Sequence, residues 1–297
     1  MDFDISRTLG IEGARFDSDA SFIHGLNGSM VGEEWEKFLE DGNAGQKGIF
    51  RSLRVGRGHL GEEGKKPNLE KFWAEGRAIY SGKRRFYLDS YVLASLDGIK
   101  VRPDITILPS GMIDWELIRT QGHIHLGNLP EIYSVVFGKA GFLLFEFGKD
   151  IWEVKNPRLI VAEPGEHVLF GSYDAHITVN LGSEPLVVTD FVSHNANPEF
   201  ERIGRMNGGP YWIMKDGSSE LPDIDVNPKY EPPPKLRILR PSKDIVLPNG
   251  YKLRKGEALF NVPQTREGLE ALTFLNEPWQ AKYHKMYENA YVPFGSN

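Results

Sequence analysis

The period of the apolar positions changes along the chain. In residues 31–40, VGEEWEKFLE, Trp35, Phe38 and Leu39 recur at helical spacing. Leu69, Phe72, Trp73 and Ile79 do the same behind Asn68, a residue type that caps helix N-termini. Two short amphipathic helices are predicted there. The glycine-rich RVGRGHLGEEGKKPN between them predicts a loop. Within it, GRGHLG follows no strand and is followed by no Lys-Ser/Thr, so it does not read as a phosphate cradle.

From Phe86 to Val192 the texture becomes short and β-rich: FYLDSYVLASL, DITILPSG, IYSVVFG, GFLLFEFG, RLIVAEPG, HVLFG, HITVNLG and PLVVTDFV. Most of these runs stop at Gly, Pro or Asn, the pattern of an antiparallel barrel or sandwich. Past residue 205 the chain turns proline-rich before further strand-like pieces and one amphipathic segment, TREGLEALTFL, which predicts a helix. Trp279, Tyr283, Tyr287 and Tyr291 recur at helical spacing and are expected to pack against the barrel. The expected organisation is an N-terminal extension over 1–85 with the two helices, a β-barrel over 86–204, and a C-terminal extension over 205–297 packing on the barrel.

Composition narrows the function classes. The formal charge is −6, and the basic clusters KK at 65–66 and KRR at 83–85 are short, so a nucleic-acid partner is not expected. No apolar run approaches the roughly 18 residues a membrane span needs. The absence of cysteine excludes disulfides and thiolate chemistry, and the acidic start MDFDISRTLGIEG lacks the features of a secretory signal. A cytoplasmic protein with no membrane partner is expected.

The candidate chemistry lies in TQGHIHLGNLPEIYSVVFG, residues 120–138, which holds two of the chain's eight histidines. On a strand, His123 and His125 share one face with Ile124 opposite. A hairpin turning over LGNLP would return Glu131 and Tyr133 to that face. Two imidazoles and a carboxylate form an array that suits Fe(II), Mn, Ni or Zn with open positions. Solvent-facing histidines on a polar strand are the plainer alternative. His176, at the start of the apolar run HITVNLG, can supply a fourth ligand.

These residues resemble the cupin family. His123-x-His125, Glu131 and Gly138 match its first motif; Gly165, His176 and Asn180 match its second, with Gly171 and Tyr173 replacing a Pro and a Gly. Within cupins, TQGHIH, EIY, SYDAHITVNLG and TILPSG resemble the archaeal-type glucose-6-phosphate isomerases over roughly residues 100–190. The resemblance implies an all-β fold, an antiparallel cupin (jelly-roll) barrel with mixed α/β extensions at both ends. It implies metal ligands His123, His125, Glu131 and His176 around one divalent transition metal per subunit, Fe2+ first, with Mn2+, Ni2+ or Zn2+ also suited. It further implies Glu131, Tyr133 and His176 as catalytic groups, and Thr106, Thr120, Gly122 and Tyr133 as the residues that hold a sugar phosphate. A homodimer and a place in glycolysis and gluconeogenesis complete the expectation. A cupin Fe/Mn dioxygenase or decarboxylase on a small acid, and a non-catalytic sugar-binding cupin, are the alternatives. The sequence departs from the isomerases twice. The His-to-Glu spacing is one residue shorter, and the family's downstream His/Tyr segment reads SHNANPEFERIG, with Phe200 where the Tyr would stand and His194 four residues from the missing His.

Overall fold

The computed structural model describes residues 95–297 apart from 109, 114–115, 172, 185, 215–220, 279–282 and 296–297, together with a short ladder pairing Arg15–Phe16 with Phe86–Tyr87. The expected helices at 31–40 and 68–79, the loop between them and the basic clusters lie outside the described residues, as does Trp279.

The apolar runs become strands: β1 (Val101–Leu108), β2 (Ile124–Leu126), β3 (Glu131–Phe137), β4 (Ala140–Phe147), β5 (Val154–Ala162), β6 (His167–Phe170), β7 (Ala175–Asn180), β8 (Leu186–Ser193), β9 (Asn197–Glu199), β10 (Arg237–Pro241) and β11 (Tyr291–Pro293). Nine of them form two main sheets, in the orders β6-β3-β8-β1 and β7-β4-β5-β10-β11, and β2 pairs with β9. The pairings are antiparallel save β10 against β5, which is parallel. This is the mostly antiparallel β fold that the apolar runs predict. The first run differs at its end. Residues 95–98 form a helical turn, closed by Lys100 N–H donating to the Asp97 carbonyl at 3.0 Å before β1 starts.

Two-residue alternation explains why these strands read as apolar on both sides. On β3, Tyr133 and Val135 join Phe142, Leu144, Ile160, Val168, Phe170 and Val188 in the core between the sheets, while Ile132 turns outward. Outside the first sheet, Ile132, Leu169, Val187 and Phe191 are covered by Leu253, Phe260, Leu272 and Leu275. Outside the second, Leu143, Phe145, Ile177 and Val179 are covered by Ile203, Met206, Tyr211 and Ile213. Each fully buried aliphatic or aromatic side chain contributes about 1.5–3 kcal/mol, so the outer layers stabilise the barrel as well as shield it.

The segment TREGLEALTFL forms a helix over Arg266–Ala271, α1, which tightens to 3-10 geometry over Leu272–Asn276. Its start is set by Thr265, whose hydroxyl accepts from Gly268 N–H at 3.0 Å. A second helix, α2, spans His284–Asn289, so Tyr291 is not on the helical stripe its spacing predicted. It opens β11 instead, paired with Pro241. Tyr283 is buried as expected.

His167 ties the barrel to the C-terminal layer. It is 3% exposed, and its Nε2 donates to the Arg254 carbonyl at 3.0 Å, which leaves Nδ1 without a donor among the described residues. Beside it Lys255 pairs with Glu166 at 2.7 Å, and Gly256 N–H donates to the Gly165 carbonyl at 2.8 Å. Burial lowers the imidazole to about 4, against the pull of the Arg254 carbonyl and of Glu257 and Glu166. Between the reference value near 6.5 and this value, the unfolded chain binds the proton and the folded chain does not. Stability therefore falls as pH drops through that window, by about 3 kcal/mol once it is crossed. His167→Gln keeps an N–H for the Arg254 carbonyl and removes the titration. Its urea midpoint should change less than the parent's between pH 7 and 4; equal changes in both proteins would show that His167 does not carry the effect.

Candidate metal centre

Gly122 and Gly127 shape the segment that carries the two neighbouring histidines. Gly122 has φ +82°, and a Cβ there would lie 2.3 Å from Ile177 Cγ1 and 2.8 Å from the His176 carbonyl oxygen. Only glycine lets the chain run this close to β7. His123 then bridges His176 through His123 N–H to O at 3.2 Å and His176 N–H to O at 3.0 Å. After β2 the chain turns through Gly127 at φ +88° and Asn128 at φ 54°. The expected hairpin does not form: β2 pairs with β9, and β3 joins the first main sheet. Glu131 still reaches the histidines because it opens β3 on the barrel-facing side, opposite the sheet that holds His176.

The four predicted ligands converge. One ligating atom from each of His123, His125, Glu131 and His176 lies within 4.8 Å of the others, and all four residues are buried. His123 Nε2 and His125 Nε2 are 3.1 Å apart; Glu131 Oε2 is 3.5 Å from His125 Nε2 and 3.4 Å from His176 Nε2. Ligands about 2.1 Å from one ion are about 3.0 Å apart at octahedral angles and about 3.4 Å at tetrahedral ones, so these separations fit a single small cation. The ring orientations agree. His125 Nδ1 faces the Leu129 carbonyl at 3.3 Å and His176 Nδ1 faces the Asp174 carbonyl at 3.4 Å. A carbonyl only accepts, so each Nδ1 carries the proton and each Nε2 turns a lone pair inward. Three imidazoles and a carboxylate suit a divalent transition metal.

An aromatic wall surrounds the cluster. The Phe170 and His176 rings are 4.7 Å apart, Tyr133 packs 4.7 Å from Phe170 and 6.4 Å from His176, and Phe200 lies 5.1 Å from His123. Phe200 thus sits beside the centre. His194 does not: it lies on the surface, with Nδ1 3.9 Å from Asp97.

The predicted phosphate residues lie on separate elements: Thr106 on β1, Tyr133 on β3, and Thr120 and Gly122 on the segment before β2. Thr106, in register with Val188, faces the barrel interior, as does Tyr133, but β8 runs between their strands. Thr120 Oγ1 accepts from Thr178 N–H at 3.0 Å, two residues beyond His176, and Gly122 directly precedes His123. Arg119, the cation nearest these candidates in sequence, is buried and committed to Glu116 at 2.5 and 3.3 Å. Burial raises the Glu116 carboxyl above its usual value, with Arg119 opposing.

Sequence reasoning passed over Asp190. It is fully buried and stands in register between Tyr133 and Asp104. Its signal was visible as the single charge inside the apolar run PLVVTDFV.

Residues 89–229 match the family model described as Glucose-6-phosphate isomerase (GPI). Curated relatives agree. Glucose-6-phosphate isomerase of Thermococcus onnurineus is 31% identical over 127 residues, 42% of this chain and 62% of that protein. Those of Thermococcus gammatolerans and Pyrococcus furiosus are 33% and 29% identical over the same shares. Among solved structures, an oxalate oxidase in complex with the substrate analogue glycolate aligns at 18% identity and a TM-score of 0.27, over 34% of this chain and 46% of that one. The chain spans about 62% of the length of the isomerases it matches, and the stretch similar to that family carries all four residues of the cluster.

Proposed function

We propose that the chain is a metal-dependent aldose–ketose isomerase acting on a sugar phosphate, interconverting glucose 6-phosphate and fructose 6-phosphate. The observation that carries this reading is the buried His123, His125, Glu131 and His176 cluster inside the segment that matches the isomerase family. A divalent metal, Fe2+ by the resemblance, would be held by His123, His125, Glu131 and His176 and would supply a Lewis acid to the sugar. Aldose-to-ketose conversion moves the C2 hydrogen to C1 and the O2 proton to O1. Glu131 turns Oε2 toward His125 and His176. Its Oε1 is therefore the oxygen assigned to take the carbon-bound proton in an enediol route. In a hydride route the hydrogen passes between the carbons, and Glu131 only holds its place. Tyr133, packed between Phe170 and Phe142, offers a hydroxyl for the oxygen-bound proton. The aromatic wall keeps bulk water from that exchange. With Arg119 committed to Glu116, the phosphate rests on hydroxyl and backbone N–H donors, Thr106, Thr120 and Gly122, which leaves the Tyr133 hydroxyl to the proton. A homodimer and a cytoplasmic setting belong to the same proposal; among the described residues no helix is long and apolar enough to cross a membrane.

The test is conversion of fructose 6-phosphate by the purified chain before and after chelation, with metal analysis. Activity should vanish with the metal and return with it. Thr120 is a poor probe of the phosphate, because its hydroxyl also serves Thr178 N–H. Thr106→Val keeps the strand shape and removes one donor. It should raise KM for the sugar phosphate about tenfold, the worth of a hydrogen bond to a charged group, at unchanged metal content. An unchanged KM, or equal turnover of the unphosphorylated sugar, would remove the sugar-phosphate reading.

A further inference from the structure

β6 is an edge strand. On its inner side it pairs with β3 and sets Phe170 opposite Glu131. Its outer side would leave backbone donors and acceptors of Leu169 and Phe170 without ladder partners. The C-terminal segment supplies them. The Tyr287 hydroxyl on α2 donates to the Phe170 carbonyl, and the Tyr291 hydroxyl on β11 donates to that of Leu169. Leu169 N–H in turn donates to the Tyr291 oxygen at 3.0 Å.

These contacts lead to the metal cluster along two short paths. Phe170, its carbonyl held from outside, turns its ring inward against His176 and Tyr133. One residue later, Gly171 N–H donates to Asp174 Oδ2 at 2.6 Å, and Arg158 donates to both Asp174 carboxylate oxygens at 2.6 and 2.5 Å. The Asp174 backbone carbonyl then faces His176 Nδ1 at 3.4 Å. Tyr287 also approaches Gly171: a Cβ added there would lie 2.9 Å from Asp174 Oδ2 and 3.4 Å from Tyr287 Cε1. Phe170, which packs on the His176 ring, is thus hydrogen-bonded to residues 283–293, and Gly171, which holds Asp174, lies against Tyr287.

We infer that residues 283–293 help set the metal centre, with Tyr287 and Tyr291 as positioning residues that act on His176 through Phe170, Gly171 and Asp174. This rests on the metal reading of the cluster and gives the C-terminal region a part in the site beyond covering the barrel. Partners that orient a ligating imidazole are worth about 10–100-fold in metal affinity, and contacts one step further out belong at the low end of that range.

The test uses the full chain stripped of metal and titrated with Co2+ as the probe. Tyr287→Phe/Tyr291→Phe keeps both rings and deletes both hydroxyls. Its Kd for Co2+ should rise about tenfold and the visible absorption of bound Co2+ should change shape, because the His176 bond direction loosens. Tyr287→Phe alone should show a smaller change of the same sign, and serves if the double variant does not fold. His167→Gln, which perturbs the same layer without touching Phe170 or Asp174, should keep the parent affinity and spectrum. Parent Kd and spectrum in the tyrosine variants, whatever their Tm, would reduce the hydroxyls to sealing an edge and overturn the inference. So would an equal change in His167→Gln. A parent chain that takes up no Co2+ would instead remove the metal reading, and this inference with it.

Discussion

The His123→Ala/His125→Ala double variant should purify without metal, against about one divalent ion per chain in the parent. Two of the four ligands are gone, and Glu131 Oε2 loses the imidazole 3.5 Å away. Smaller substitutions would be ambiguous, since a water can replace one lost ligand; two losses leave His176 and Glu131 alone. Stability gives a second readout. A ligand that binds only the folded state raises stability by RT ln(1 + [L]/Kd), so chelation should lower the parent's Tm and leave that of the double variant where it is. Uptake by the parent should also weaken as pH falls, because ligation needs deprotonated imidazole nitrogens. A double variant that keeps its metal would sink the site as described.

Gly122→Ala should be among the most damaging single methyl additions in the barrel. Two costs add there. A left-handed backbone at φ +82° costs a non-glycine residue about 1–2 kcal/mol. The added Cβ, 2.3 Å from Ile177 Cγ1 and 2.8 Å from the His176 carbonyl, forces movement in a packed wall, about 1–3 kcal/mol more. The expected loss of about 2–5 kcal/mol corresponds to a Tm lower by about 10 °C in a chain of this size. Metal affinity should fall with it, because the chain that must move carries His123 and its bridge to His176. Gly250 separates the two costs: it has φ +89° but nothing within 4 Å of an added Cβ, so Gly250→Ala should lose only the backbone part. Equal losses at the two positions would show that close approach to β7 is not what Gly122 provides.

The candidates within residues 120–138 were legible because strand alternation is local, and His176 was joined to them only by the resemblance of its segment to a known motif. His123 and His125 must share a face whichever sheet they join, and Glu131 and Tyr133 must share theirs. The partner of β2 was not legible. The hairpin over LGNLP was expected because short connections usually join neighbouring strands. The ladder that forms runs between His125 and Pro198, seventy-odd residues along, where β9 returns beside β2. Likewise Phe200 could be aligned by position, but its place beside His123 depends on that return.

By itself, then, the sequence determined the periods and the turns, properties of neighbours within a few residues, while the family resemblance singled out His123, His125, Glu131 and His176 as ligand candidates. Only the tertiary structure decided what each outward face meets. The apolar outer faces of both sheets required covering, and nothing local said that Phe260 would cover one and Tyr211 the other. The tyrosine spacing predicted packing on the barrel but not that Tyr287 and Tyr291 would hydrogen-bond the edge of β6. It also left open that Arg119, the cation nearest the phosphate candidates, would turn away to Glu116. The tyrosine pairings join residues more than a hundred positions apart, and like the local Arg119–Glu116 pair they form because a buried polar group must find a partner wherever the fold offers one.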